Sequence, residues 1–232
     1  MLARQTDAPI SRCPDAPIFY LSIKPCYFVS VSTSRVPRFF RRIAVKGWSN
    51  SPYFTFSSSY PVLRRWLIAQ LSARDRAILS IGCGSGELER DLLRLNYQLV
   101  GMDICYEMLQ SARRRGVRSV VQADALSLPF RSGSFDLVLF PESIGYFGLH
   151  PMLSGVTRVL KRRGRLLLTA YSTDFASDDI YQRRSVEELT RGLREADFDV
   201  TDHRLLAVSR RRVTEVESER GSQLIYMVAA LR

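Results

Sequence analysis

The sequence predicts an α/β fold built on a doubly wound, mainly parallel sheet. From residue 77 onward, short apolar runs alternate with segments of helical periodicity. A glycine-rich turn joins the first apolar run to the first of these helices, and an aspartate follows each of the next two runs. Parallel strands need helical crossovers between them, so this alternation is typical of a doubly wound sheet.

The individual elements follow from local patterns. A helix is predicted from Pro61, because proline is favoured in a first helical turn and apolar residues then recur at helical spacing. The sequence Ser185-Val186-Glu187-Glu188 is a capping box, which predicts a helix from there to Ala196. Three further helices are predicted at Glu87–Asn96, Tyr106–Arg115 and Pro151–Leu160. Seven strands are predicted at Ala77–Ile81, Gln98–Asp103, Val117–Gln122, Phe135–Phe140, Arg165–Ala170, Phe198–Val208 and Gln223–Leu231.

The N-terminal quarter of the chain differs from the rest. Residues 1–59 show no sustained period and are predicted to be an irregular extension, with the folded domain at residues 60–232. Most of the net charge of +11 lies at this end, since residues 1–70 hold 10 basic and 2 acidic side chains. Two interpretations stay open for the extension: a lid over the ligand site, or a segment produced by a start codon placed too far upstream. A basic arm suits nucleic acid or anionic lipid, whereas arginine on a solvated surface needs no partner.

Composition excludes several classes of protein. With 46% hydrophobic and 25% charged residues among 232, the chain is neither disordered nor fibrous. The four cysteines have no C-x-x-C spacing and there are two histidines, so no metal site is predicted and the thiols indicate a reduced, cytoplasmic protein. The most apolar early stretch, residues 16–31, is interrupted by Lys24-Pro25 and too short for a membrane span.

The turn Gly82-Cys83-Gly84-Ser85-Gly86 is the strongest functional signal in the sequence. Glycines at alternate positions between a strand and a helix let a ligand approach the backbone and the free N–H groups of the helix start. A dinucleotide fingerprint would place its third small residue where Glu87 stands, and that carboxylate would repel a pyrophosphate. No G-K-[ST] follows, which excludes a P-loop. The ligand is expected to lack phosphates, and it can carry a positive charge.

Two acidic residues at strand ends extend this predicted site. Asp103 closes the second strand, near the position at which doubly wound folds place a carboxylate for ribose hydroxyls. Asp124 follows the third strand, where it can accept a hydrogen bond from an adenine amino group. Each could instead be a turn or helix-cap aspartate. Together with the glycine turn, Asp103 and Asp124 place possible ligand-binding groups at the ends of three consecutive strands.

With these motifs in order, residues 75–232 resemble the class I S-adenosylmethionine-dependent methyltransferases, in particular the small-molecule type. The likeness rests on Leu79–Gly86, Val100–Ile104, Ala123–Ala125 with the following Leu-Pro-Phe, Ser134–Val138, and Arg158–Lys161 with Gly164. It implies a Rossmann-like sheet of seven strands, mostly parallel with an antiparallel last strand, and S-adenosyl-L-methionine as cofactor. The implied cofactor-binding residues are Gly82, Gly84, Gly86, Asp103, Ile104, Asp124 and Ala125, with no metal.

One residue departs from the family pattern. Ser80 stands where the family usually has an acidic residue. Carboxylate help toward the methionine amine must therefore come from elsewhere in the chain or be absent.

The loop after the fourth strand, residues 140–147, is expected to face the methyl acceptor. It has neither the Asn/Asp-Pro-Pro-Tyr/Phe sequence of enzymes that methylate amino groups of nucleobases nor a cysteine nucleophile, and the three lysines do not supply a ribose-methylating set. Nucleic acid is therefore not the expected acceptor. Glu142 is the candidate catalytic residue, as a base or as a stabiliser of a cation. Its alternative role is that of a loop glutamate that caps the next helix.

The predicted function is methyl transfer from S-adenosyl-L-methionine to a small-molecule acceptor. Two alternatives stay open. One is an RNA methyltransferase or a protein methyltransferase of the arginine type. Residues Glu142–Phe147 resemble the first acidic half of the loop found in protein arginine methyltransferases. The other is a non-catalytic, cofactor-binding regulatory protein, which the serine at position 80 would suit.

Overall fold

An eight-stranded sheet forms the centre of the fold in a computed structural model that describes residues 35–46, 56–175, 180–208 and 213–232. The strands are β1 Ala77–Ile81, β2 Gln98–Asp103, β3 Val120–Gln122, β4 Phe135–Phe140, β5 Leu160–Tyr171, β6 Phe198–Val208, β7 Val213–Val216 and β8 Leu224–Leu231. The helices are α1 Arg35–Lys46, α2 Phe56–Gln70, α3 Glu87–Arg94, α4 Tyr106–Arg114, α5 Leu149–Val159 and α6 Val186–Glu195. A 3-10 turn, Ile144–Tyr146, follows β4.

The strand order is β3-β2-β1-β4-β5-β8-β6-β7. β1 pairs in parallel with both β2 and β4, and β8 pairs antiparallel with β5 and β6. The predicted doubly wound sheet with an antiparallel last strand is thus confirmed, and β7 adds an eighth strand that the sequence did not indicate. The direction of winding reverses between β1 and β4, so a crevice opens at the carboxyl ends of these strands.

Helices cover both faces of the sheet. Leu79 and Ile81 of β1 pack on one face with residues of α5 and α6, whereas Ile78 packs on the other face with residues of α2 and α3. All five residues of β1 are buried, as expected for a central parallel strand. Among the described residues, no helix combines the length and apolar content needed to cross a bilayer.

The N-terminal region departs from the prediction. Part of the segment expected to be irregular is helical, since it includes α1 and the start of α2 at Phe56. α1 is held by a contact distant in sequence, because Ile43 is buried against Cys105 and Met108 beside α4. The prediction of irregular structure is therefore wrong for Arg35–Lys46. Residues 1–34 and 47–55 lie outside the described part of the chain, so the prediction is untested there.

Candidate active site

The turn between β1 and α3 adopts a conformation that requires glycine. Gly82, Gly84 and Gly86 have φ angles of 74°, 53° and 78°, in the left-handed region that disfavours other residues. A Cβ atom added to Gly82 would lie 2.4 Å from the Cβ of Ser143. The backbone N–H of Gly82 donates to the carbonyl of Met102 at 2.7 Å, which ties the turn to β2. The predicted glycine turn therefore lies at the carboxyl edge of the sheet, as its spacing indicates.

Asp103 is locked in place at the end of β2. Its Oδ2 accepts from the N–H of Gly84 at 2.9 Å, and its Oδ1 accepts from the N–H of Cys105 at 2.8 Å. Burial raises the pKa of Asp103, while these backbone hydrogen bonds oppose the shift. Each carboxylate oxygen has a second lone pair, so the same group can accept from two further donors. Ile104 lines the pocket next to it.

One pocket joins this turn to the loop after β4. Four acidic residues line it: Glu87, Glu89, Asp103 and Glu142. No arginine, lysine or histidine of the described residues belongs to the lining, although the whole chain has a net charge of +11. Such a surface attracts cations and repels phosphates and carboxylates. The described residues contain no group of three His, Cys, Asp or Glu side chains placed to hold a metal ion.

α1 covers one side of the pocket. Val36, Phe39 and Phe40 line it, and Phe40 meets the ring of Tyr146 edge-on with centroids 5.1 Å apart. An ion pair of 2.8 Å between Arg41 Nε and Glu107 Oε1 connects α1 to α4. The basic residues of α1 that the structure describes are exposed and point away from the lining.

Glu142 has an unusual environment on the β4 side of the pocket. Its φ angle is 58°, which is rare for a residue other than glycine. Its N–H donates to Thr169 Oγ1 at 2.7 Å, and its Oε2 accepts from the hydroxyl of Tyr171 at 3.0 Å. Oε1 is buried and has no hydrogen-bond partner among the described residues. Burial raises the pKa of Glu142 to about 7, against the lowering effect of the Tyr171 hydrogen bond. Backbone strain and an unsatisfied buried oxygen together are typical of a functional group.

A family model for a methyltransferase domain matches residues 79–168, from β1 into β5. The matched segment includes the glycine turn, Asp103, Asp124 and Glu142. The chain carries a class I S-adenosylmethionine-dependent methyltransferase domain.

Curated relatives of this methyltransferase domain have different acceptors. Malonyl-[acyl-carrier protein] O-methyltransferase of Legionella pneumophila is 35% identical over 111 residues, which are 45% of this chain and 39% of that protein. Probable tRNA methyltransferase 9B of Homo sapiens is 31% identical over 134 residues, 54% of this chain and 28% of that protein. The chain thus spans well under half the length of both relatives.

A solved structure supports the fold of the methyltransferase domain. A Thermotoga maritima methyltransferase, described as a possible histamine N-methyltransferase, is 20% identical. It superposes with a TM-score of 0.67, covering 84% of this chain and 99% of that one.

S-adenosyl-L-methionine is the cofactor of this methyltransferase domain, and the described residues fit it. The cofactor carries a sulfonium, an ammonium and a carboxylate group and so has a net positive charge, which suits a pocket lined by four acidic side chains and by none that is basic among the described residues. The glycine turn permits close approach to the backbone, and Asp103 is held with lone pairs available for a ribose diol. These acidic and hydrogen-bonding groups therefore suit a cationic nucleoside better than a dinucleotide.

Asp124 is a predicted binding residue that the structure does not place in the lining. Its Oδ1 accepts from the N–H of Leu126 at 2.9 Å, and its carbonyl accepts from Ser127 at 3.0 Å, which together form an Asx turn. Its neighbours Ala123 and Ala125 do line the pocket. The turn interpretation accounts for the observed contacts of Asp124, and a contact with adenine stays a prediction.

Glu89 is the pocket residue that the sequence analysis missed. It lies in α3 with 1% of its surface exposed, and its Oε1 accepts from the hydroxyl of Ser80 at 2.6 Å. Burial raises its pKa to about 7, and the Ser80 hydrogen bond opposes this. A carboxylate therefore does occur beside Ser80, where the family usually has an acidic side chain, but it comes from the helix. The available clue was its place beside Leu88 in the first turn of the predicted helix, since both residues belong to the buried set of α3.

Replacing Glu89 by glutamine is expected to weaken S-adenosylhomocysteine binding about tenfold at pH 8, because a charge-assisted hydrogen bond to the ammonium group is lost. 5′-Methylthioadenosine lacks the amino-acid part and should bind the variant and the wild type equally. Calorimetry with both ligands measures this difference. The exposed Glu187→Gln is the matched control. An equal loss for both ligands would mean that Glu89 supports the fold of the turn and does not contact the amine.

The same variant should change how stability depends on pH. The pKa of Glu89 is raised from 4.5 to about 7 in the folded protein, so the fold is favoured while Glu89 is protonated. This contribution is complete below pH 4.5 and is lost as pH rises through 7. We expect Glu89→Gln without ligand to equal the wild type near pH 4 and to be more stable by about 2–3 kcal/mol at pH 8. Urea unfolding at both pH values measures it, and parallel pH profiles would contradict it.

Proposed function

We propose that the protein transfers a methyl group from S-adenosyl-L-methionine to a small-molecule acceptor, with Glu142 as the group that receives the acceptor's proton. The observation that carries this proposal is the single pocket that joins the glycine turn and Asp103 to Glu142. The cofactor supplies an electrophilic methyl group on sulfur. The chain's own residues bind the acceptor, orient it and hold its proton.

The surroundings of Glu142 suit a proton acceptor. Thr169 fixes its backbone and Tyr171 fixes one carboxylate oxygen, so Oε1 is the oxygen left for a ligand. A pKa of about 7 makes the carboxylate a stronger base than an exposed glutamate while leaving it charged in part at neutral pH. These contacts do not support the helix-cap alternative, because the side chain of Glu142 bonds to Tyr171 of β5, and the N-cap residue of α5 is Gly148.

The position of α1 supports a small acceptor. Phe39 and Phe40 lie over the pocket, and we propose that α1 acts as a lid that excludes water from the transfer. Arg38, Arg41 and Arg42 are exposed on the opposite side of this helix. An RNA could reach those arginines without reaching Glu142, so the basic charge does not favour a nucleic-acid acceptor.

The test has two stages. Calorimetry first measures binding of S-adenosylhomocysteine, and its failure in folded protein would contradict the proposal. The protein and labelled S-adenosylmethionine are then incubated, in three separate reactions, with metabolite extract, with total RNA and with protein extract. We expect label in an extractable small molecule. Label in RNA or protein alone would support the macromolecular alternative, and binding without any transfer would support the regulatory one.

A further inference from the structure

We propose that the methyl acceptor is an amine, which binds as a cation against aromatic rings and gives its proton to Glu142. This inference rests on the proposed methyl transfer and names its substrate class. It is based on the side chains around Glu142 rather than on those of the glycine turn.

A row of aromatic rings forms the wall of the pocket beside Glu142. Phe40 meets Tyr146, Tyr146 meets Tyr181, and Tyr181 meets Tyr171, with centroid separations of 5.1, 4.9 and 4.7 Å. Phe175 then stacks on Tyr171 at 4.0 Å. All five rings line the pocket. The row runs from Phe40 on α1 to Phe175, just beyond the end of β5, along the wall that contains Glu142.

The rings are held by specific backbone features. A Cβ atom on Gly145 would lie 2.2 Å from Cε1 of Tyr181, so the ring of Tyr181 packs directly on that glycine. Gln182 N–H donates to the carbonyl of Gly145 at 2.8 Å, and Tyr171 N–H donates to the hydroxyl of Tyr181 at 3.3 Å. The segment after β5 is thereby attached to the loop that carries Glu142.

An amine satisfies this site better than the other nucleophiles. Oε1 of Glu142, which has no partner among the described residues, requires a hydrogen-bond donor, and aromatic faces attract cations. A carboxylate or phosphate acceptor would face Glu142 with no basic side chain of the described lining to balance its charge. An alcohol or phenol can donate to Oε1 but gains nothing from the rings as a cation. An ammonium group uses both features.

The proposed step transfers one proton to Glu142 and one methyl group to the amine. The bound ammonium gives one proton to Oε1 of Glu142, which leaves a neutral amine and a carboxylic acid. The nitrogen lone pair forms a bond to the sulfonium methyl carbon as the carbon–sulfur bond breaks, and the pair from that bond stays on sulfur. The products are the methylated ammonium and S-adenosylhomocysteine, and Glu142 returns its proton to solvent.

Three compounds of similar shape test the charge preference: 2-phenylethylamine, 2-phenylethanol and phenylacetate. Each is titrated by calorimetry into full-length protein saturated with S-adenosylhomocysteine. We expect the amine to bind at least about tenfold more tightly than the alcohol, and phenylacetate to bind most weakly. In assays with labelled S-adenosylmethionine, only the amine should become labelled.

Two variants connect the preference to the site. Glu142→Gln should reduce the amine preference over the alcohol to about threefold or less, and Tyr146→Leu, which keeps bulk but removes a ring face, should lower it by about threefold. Glu187→Gln, on the exposed side of α6, should change nothing. Affinity for S-adenosylhomocysteine reports that each variant is folded.

Several results would overturn the inference. These are tighter binding of phenylacetate or phenylethanol than of the amine, an amine preference that survives Glu142→Gln, or no binding of any of the three to protein that does bind S-adenosylhomocysteine. In all of these, the proposed methyl transfer can still stand. Absence of S-adenosylhomocysteine binding would instead contradict the proposed function itself.

Discussion

Glu142→Gln is expected to lower turnover about 100-fold, the usual scale for a lost general base, while affinity for S-adenosylhomocysteine stays within about twofold. Glutamine keeps the shape of the side chain and can still accept from the Tyr171 hydroxyl through its carbonyl oxygen. It cannot take a proton from the acceptor. The measurement is initial rate with labelled S-adenosylmethionine and the acceptor found in the extract screen, beside calorimetry of the cofactor product.

A pH profile separates a base from a merely structural residue. With a pKa of about 7, Glu142 is largely protonated at pH 6 and largely charged at pH 8, so the wild-type rate should rise across this range. The residual rate of Glu142→Gln should not follow that rise. Intact turnover with weakened cofactor binding would place Glu142 among the cofactor contacts instead and would refute its catalytic role.

Asp103→Ala is expected to weaken cofactor binding by about 1.5–3 kcal/mol, which is roughly 10- to 150-fold. The change removes the acceptor for the ribose hydroxyls and also leaves the N–H groups of Gly84 and Cys105 without the carboxylate that holds them. Both effects act on the ribose end of the ligand. S-adenosylhomocysteine and 5′-methylthioadenosine should therefore lose affinity by similar factors.

This pattern differs from the one expected for Glu89→Gln, in which only the ligand with an amino-acid part loses affinity. The two variants thus control for each other with the same pair of ligands. Melting temperature without ligand shows whether the turn is intact. Unchanged affinity in a folded Asp103→Ala variant would mean that the carboxylate serves only to fix the turn.

The methyl acceptor differs among the known relatives of this chain. One curated relative is named a malonyl-[acyl-carrier protein] O-methyltransferase and another a probable tRNA methyltransferase, so similar domains serve different acceptors. The rings around Glu142 come from α1, the turn after β4, Tyr171 at the end of β5 and the segment after β5. Of these, α1, Tyr171 and the segment after β5 lie outside the matched family region of residues 79–168. Acceptor choice is therefore expected to depend on parts of the chain that vary around a common cofactor site.

Local sequence patterns determined most of the fold. Buried parallel strands are short apolar runs, and the crossover helices show their own period, so β1, β2 and β4 begin and end where the sequence indicates. The glycine turn could also be predicted from the sequence, because the left-handed backbone conformation at Gly82 and Gly86 excludes most other residues. The position of Asp103 beside this turn could be predicted as well, since the carboxyl ends of adjacent parallel strands lie at the same edge of the sheet.

The tertiary structure decided the rest of the site. Glu89 reaches Ser80 only because α3 packs back on β1, and Asp124 bonds within its own turn although its spacing also suited a ligand contact. α1 was missed although its apolar residues do recur at helical spacing, because a helix of 12 residues depends on packing for its stability, here of Ile43 on Cys105 and Met108, more than 60 positions away. The rings of Tyr146, Tyr171 and Tyr181 contact one another across different elements, and neither helical nor strand periodicity predicts such contacts. Periodicity describes neighbours within one element, whereas a binding pocket is formed by side chains from several elements, whose meeting depends on how those elements pack.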